Sequence, residues 1–270
     1  MLGTAAHARG LYRAAAQLHK NAARLSNRNA VFYLVPPPPC LRGDVRPLYW
    51  VAAHASLDDP GGVAGLLGLL REAAAQDQFT ALADRAAAHA SLRNSGAVAR
   101  LLDWLRTAGA PGQVTELADR VAAHASLGNP DGVTLLLDSL QEAGAQDQVT
   151  ELADRLAVHA SLGGPDGVAR LLGTLRTVGA PEQVTELADR VAAYASLDNP
   201  ADVARLLDAL REAGAPDQIT ALADRLPEAG MFELFRQQRD PRQRDPQDQF
   251  RFGREADGSP AKPWNWGDLG

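Results

Sequence analysis

His54, His89, His124 and His159 recur every 35 residues, and Tyr194 takes the next position of the series. Imidazoles held in register are raw material for a metal site or a proton relay. Packed helices, however, lie about 8–10 Å apart, whereas metal ligands sit about 2.0–2.1 Å from a shared ion. If each histidine has its own helix, the ladder cannot converge, and the spacing predicts half-buried hydrogen-bonding side chains with no metal. A second series has the same period: Asp84-Arg85, Asp119-Arg120, Asp154-Arg155, Asp189-Arg190 and Asp224-Arg225. Neighbours in sequence do not face each other on a helix, so any pairing runs between units or to nearby loops. Glu116 and Arg120, Glu151 and Arg155, and Glu186 and Arg190 also have the i, i+4 spacing that stabilises a helix by ~0.2–0.5 kcal/mol per pair. The Asp-Arg series reads as a staple between repeats, with a charged face for an extended partner as its functional rival. The chain has no phosphate loop, dinucleotide glycine fingerprint, HExxH or GxSxG. Catalysis and a bound cofactor are therefore not expected.

The elements that carry these ladders follow from the same period. Gln78, Gln113, Gln148, Gln183 and Gln218 each open a copy of one 35-residue pattern. In the copy from Gln113, the residues Val114, Leu117, Ala118, Val121, Ala122 and Ala125 fall three and four apart, the signature of one buried helix face. This is helix A. The stretch SLGNP breaks the pattern, with Asn129 suited to a helix N-cap and Pro130 to a first helical position. Helix B then buries Val133, Leu136, Leu137 and Leu140, and Gly144 stands where a left-handed residue would end it. Neither stripe can be buried alone, so the expected fold is all-α, an α-solenoid of stacked two-helix repeats.

One position of helix B varies while its neighbours hardly change: Leu69, Trp104, Ser139, Thr174 and Ala209. One turn earlier stand Gly65, Arg100, Leu135, Arg170 and Arg205. Both sets lie off the apolar stripe as read from the sequence, and repeat proteins bind through varied side chains on a constant frame. The candidate partner-binding residues are accordingly Leu69, Arg100, Trp104, Leu135, Ser139, Arg170, Thr174 and Arg205. Trp104 carries most weight, because exposed tryptophan is a favoured hot spot.

The flanks depart from the repeat. An N-terminal helix is expected over 1–27, a proline-rich linker with an irregular first half-repeat over 28–50, the repeat array over 51–226, a short capping helix over 227–238 and an irregular tail over 239–270. Pro47 falls near the middle of the first expected helix A, where proline costs about 3 kcal/mol. From Arg236 to Arg254 the tail has six arginines against three aspartates, with Phe250 and Phe252 interleaved. That pattern suits either a weak contact with an acidic partner or a solvated tail whose aromatics, Trp264 and Trp266 included, dock back.

A net charge of −6 disfavours nucleic acid as the partner of the whole chain. Cys40 is the only cysteine, which excludes an intrachain disulfide and fits a cytoplasmic setting. Neither a secretory signal nor a membrane span is legible, so no membrane association is expected.

The helix B segments VTLLLDSLQEAGAQD and VARLLDALREAGAPD resemble the pentatricopeptide repeat over Gln78 to Asp217, and the 35-residue unit is also similar to the tetratricopeptide repeat, being one residue longer. The former likeness implies single-stranded RNA binding, although Glu or Leu stands where that family has a tyrosine soon after the VT of helix A. ALADRAAAHA, LDNP and VARLLDALREAGA, with the closing FRFGREADGSPAKPWNW, are similar to uncharacterised Ala- and Arg-rich helical repeat proteins of actinobacteria. That resemblance implies no activity. The leading expectation is a non-enzymatic scaffold that binds a protein or peptide. RNA binding, or service as the sensor part of a larger actinobacterial protein, are the alternatives.

Overall fold

Each 35-residue period holds two amphipathic segments separated by unlike breaks, and the breaks decide how the helices meet. The computed structural model describes residues 2–24, 46–162, 164–238, 252–253, 255 and 259–268. The proline block and Cys40 lie outside them. Helix A recurs as α5 (Gln76–His89), α7 (Pro111–His124), α9 (Gln146–His159), α11 (Pro181–Tyr194) and α13 (Pro216–Arg225). Helix B recurs as α4 (Pro60–Glu72), α6 (Ser95–Thr107), α8 (Pro130–Glu142), α10 (Pro165–Thr177) and α12 (Pro200–Ala213). The protein is an all-α repeat solenoid, and its described residues include no helix long and apolar enough to cross a membrane.

Helix B ends on a glycine in the left-handed region: Gly109, Gly144, Gly179 and Gly214 have φ between 72° and 76°. After α6, Gly109 N donates to Arg106 O at 3.0 Å and Ala110 N to Leu105 O at 3.1 Å, a Schellman pairing that uses up the last carbonyls. Pro111 then starts α7 at once, so the chain doubles back sharply. Helix A ends differently. Its C-cap alanines, Ala90 and Ala125, are extended, and the chain crosses through Ser-Leu to the next N-cap. Asn94 accepts from Ala97 N at 3.1 Å there. These crossings also bond to one another, Ser91 N to Leu57 O at 2.9 Å and Ser126 N to Leu92 O at 3.3 Å.

As a result, the closely packed hairpin is helix B with the helix A that follows it: α4 with α5, α6 with α7, α8 with α9, α10 with α11. The folded hairpin is offset by one helix from the repeat as it is written from Gln78, because only the glycine turn is short enough to return the chain antiparallel.

The chain divides into two compact units, 1–160 with 178–180, and 161–177 with 181–270. In the first, helices A stack in the order α3 (Arg46–His54), α5, α7, α9, and helices B in the order α4, α6, α8. In the second, α11 stacks on α13 and α10 on α12. The cores are leucine, valine and alanine: Leu82, Leu117 and Leu152 of helix A and Leu67, Leu102 and Leu137 of helix B are fully buried. Each such leucine contributes about 1.5–3 kcal/mol by leaving water.

Three flank expectations change. The N-terminal segment is two helices, α1 (Leu2–Ala8) and α2 (Tyr12–Arg24), split at Gly10 with φ 75°. They pack on each other and α2 packs on α3, with Lys20 Nζ 4.9 Å above the Trp50 ring. Pro47 is the second residue of α3, where its missing N–H has no helical acceptor to lose, so the first half-repeat is helical from Arg46. After α13 the chain turns into α14 (Phe232–Gln238), which packs on α13 with Met231 and Phe235 buried, as a capping helix should. In the tail, Trp264 Nε1 donates to Phe252 O at 3.0 Å within the tail itself, and Trp266 is 86% exposed rather than docked.

One turn breaks the glycine rule. Ala74 takes the left-handed position after α4 with φ 54°, keeping the same backbone bonds to Arg71 O and Leu70 O. A Cβ there costs roughly 1–2 kcal/mol. Ala74→Gly is expected to raise the unfolding free energy of the first unit by about 1 kcal/mol, read as a higher urea midpoint. An unchanged or lower midpoint would mean that the turn carries no strain.

Candidate interaction surface

The most faithfully repeated polar residues of helix A are spent inside the stack. Arg120 Nη1 donates to Ala87 O at 2.6 Å and Nη2 to Ala90 O at 2.9 Å, across to the end of the preceding helix A. Arg155 reaches Ala122 O at 2.5 Å and Ala125 O at 3.1 Å. Arg225 reaches Ala192 O at 2.6 Å and Ala195 O at 3.0 Å, and Arg85 bonds Ala52 O and Ala55 O. Each guanidinium therefore sits on orphan carbonyls at the negative end of a helix. The aspartates face the other way along the stack. Gln113 Nε2 donates to Asp84 Oδ1, Gln148 to Asp119 and Gln218 to Asp189, each at 2.7 Å. The Asp-Arg series is thus a staple with two directions. Arg120 and Arg155 turn to these carbonyls instead of to Glu116 and Glu151, because two fixed acceptors beside a helix end outweigh one solvated carboxylate.

The histidines end successive helices A, and His54, His89, His124 and His159 are all exposed, more so than their half-buried expectation. As last residues, they lie past the length of helix that packing covers. Only His54 has a fixed role, with Nδ1 2.9 Å from Trp50 O and its ring stacked on Trp50 at 4.9 Å. Among the described residues, no three His, Cys, Asp or Glu side chains are grouped to hold a metal ion.

The candidate residues of helix B separate into two sets. Arg100, Leu135, Arg170 and Arg205 are exposed, Leu135 by 50%. Arg205 pairs with Asp202 at 3.1 Å and with Asp166 at 3.7 Å. The varying position does not lie on the surface as expected. Ser139 and Thr174 are buried, as is Ala209, while Leu69 and Trp104 are half-buried. Within each unit helix B stacks on its neighbouring helix B as well as on helix A, so its covered arc is wider than the apolar stripe. Ser139 Oγ donates to Ala99 O of the preceding helix B at 3.4 Å, and Thr174 Oγ1 to Arg170 O at 2.9 Å. In the first unit this position is the seam between helices B, and its side chains vary to fit what lies opposite. Under Trp104 that is Gly68, where a Cβ would stand 3.2 Å from Cζ2 of the indole.

No family model, no curated protein and no solved structure matches the chain.

The surface has therefore to be read from this chain alone. In three of the five repeats helix B ends in an arginine that has a local acceptor. Arg106 meets Glu142 at 2.6 Å and Asp103 at 3.7 Å, Arg211 meets Asp208 at 2.5 Å, and Arg176 donates to Glu212 O at 2.8 Å. Such exposed pairs contribute little stability, about 0–1 kcal/mol each, but they leave the surface electrically quiet. Burial, and then Glu142 one turn on, push the Asp138 carboxyl above its usual range. The sequence reading passed over Arg71, Gly68 and Phe79. For the last two the signal was departure from the repeat, Gly68 where Asp103, Asp138 and Asp208 stand, though Gly173 shares it, and Phe79 where Val114, Val149 and Val184 stand.

Proposed function

We propose that this chain is a non-enzymatic helical-repeat scaffold that binds a protein or peptide through the exposed face of helix B. One observation carries the reading. The constant polar side chains of the repeat, the Gln, Asp and Arg of helix A, are consumed in holding neighbours together, whereas the changing side chains that reach solvent lie on helix B. A constant frame with a varied exposed strip is how repeat proteins present a binding surface. The candidates narrow to Arg100, Leu135 and the half-exposed Trp104 in the first unit and to Arg170 and Arg205 in the second, since Ser139 and Thr174 are buried. A cytoplasmic setting belongs to the same proposal.

Alanine at a hot spot costs roughly 2 kcal/mol or more, about a 30-fold loss of affinity. Immobilised wild type, Trp104→Ala and Arg170→Ala should therefore differ clearly in the proteins they retain from a cell lysate, with all three equally folded by circular dichroism. Equal recovery by the three would remove helix B from the reading. Single-stranded RNA is the second reading, favoured by arginines at one register in three repeats, Arg100, Arg170 and Arg205. Against it, the exposed face of helix A in the first unit carries Glu116, Asp119, Asp147 and Glu151, while its arginines are turned inward. A labelled uridine 15-mer at low salt is expected to give no mobility shift with the chain. A shift that weakens steeply with added salt would instead favour RNA.

A further inference from the structure

We infer that the corner where Arg71 stacks on Trp104 is a receptor for a carboxylate on an acidic peptide segment of the partner. The inference rests on the scaffold reading and names the chemistry of one point on that surface. Departures from the repeat meet at this corner. Gly68 stands where Asp103, Asp138 and Asp208 stand, a replacement that Gly173 shares, Trp104 where Ser139 and Thr174 stand, Ala74 where a glycine ends every other helix B turn, and Phe79 where other helices A have valine or isoleucine. In space they form one assembly. The indole lies over Gly68, Phe79 packs against it at 6.1 Å between ring centroids, and the Arg71 guanidinium stacks on it at 5.0 Å. Ala74 holds the adjoining turn with φ 54°.

The same departures strip Arg71 of its acids. The equivalent residue, Arg106, is answered by Asp103 three residues before it and by Glu142 in the next helix B. For Arg71 those two places are Gly68 and Thr107. Among the described residues, no carboxylate pairs with Arg71, which is exposed. A guanidinium over an indole face, with no carboxylate of its own, still presents paired N–H donors, and these match a carboxylate in bidentate geometry. Trp104 adds apolar area beside it, and Arg100, one turn earlier on α6, adds a second positive charge. An acidic segment with an apolar neighbour complements all three. A basic segment is repelled.

The test uses the full chain and two fluorescein-labelled pools of random dodecapeptides, one with glutamate at three set places and the other with glutamine there, read by fluorescence anisotropy. Wild type should prefer the glutamate pool, and Arg71→Gln should weaken that binding about 10-fold or more. Arg71→Lys should recover only part, because an ammonium cannot make the paired bonds. Thr107→Glu is the sharper variant. It gives Arg71 the internal carboxylate that Arg106 has in Glu142, so it should block the glutamate pool as strongly as Arg71→Gln while leaving the thermal midpoint at or above wild type.

Equal binding of the two pools, or indifference of glutamate binding to both Arg71→Gln and Thr107→Glu, overturns the inference. Tighter binding of a uridine 15-mer that is lost in Arg71→Gln also overturns it and moves the corner to phosphate. If both pools bind wild type and Arg71→Gln alike, the carboxylate receptor fails and the scaffold reading stands. If neither pool binds, the inference falls, and the lysate comparison judges the scaffold separately.

Discussion

Arg120→Ala is expected to lower the unfolding free energy of the first unit by about 3 kcal/mol, because it removes two charge-assisted bonds and leaves two helix-end carbonyls poorly satisfied. The bonds in question are those to Ala87 O and Ala90 O, made by a half-buried guanidinium. Stability in a repeat array is close to a sum of the intrinsic stability of each repeat and of terms between nearest neighbours. The loss therefore falls on one junction, and it should broaden the urea transition as well as shift it. Arg120→Lys keeps the charge but can serve one carbonyl at a time, so roughly half the loss should return. Arg225→Ala repeats the experiment in the second unit, where Arg225 makes the same pair of bonds. A change below about 0.5 kcal/mol in both variants, the size of an ordinary surface substitution, would show that the staple is ornamental.

Ser139→Trp separates a seam from a surface. On an exposed face the change would stay within about 0.5 kcal/mol, whereas overpacking a filled contact costs about 1–3 kcal/mol. Ser139 is 5% exposed and bonded to Ala99 O of α6, so a loss of about 2 kcal/mol is expected, read from urea midpoints. The chain already contains the remedy. Trp104 is accommodated because Gly68 lies beneath it, and the residue equivalent to Gly68 under position 139 is Asp103. Asp103→Gly combined with Ser139→Trp should recover at least half of the loss, a positive coupling in a double-mutant cycle. A tolerated Ser139→Trp would return this position to the surface. A loss that Asp103→Gly fails to relieve would deny the pairing of tryptophan with glycine.

Much of the fold is written locally and was legible for that reason. Leu117, Val121, Leu136 and Leu140 lie three and four residues apart on their own helices, and that spacing alone places them inside. Asn94 and Pro130 start helices and Gly109 ends one through their own backbone preferences, whatever packs around them. Pro47 was misread because the first residue of its helix had to be assumed from the repeat. The flank starts that helix at Arg46, late enough for the proline to be harmless.

The histidines, the Asp-Arg pairs and the varying position show where local reading stops. By itself the sequence determined the period, two helices in each repeat, their apolar stripes and the positions available to vary. It could not say that Arg120 reaches back 33 residues to Ala87, that Ser139 faces Ala99 across 40, or that Arg71 lacks acids which Arg106 finds partly 36 residues ahead. Those relations depend on the offset and rotation between neighbouring helices of the same kind. Helical periodicity names the face that must be buried, but only the stacked structure decides how far that burial extends around helix B. What it leaves uncovered includes Arg71, exposed over the half-buried Trp104.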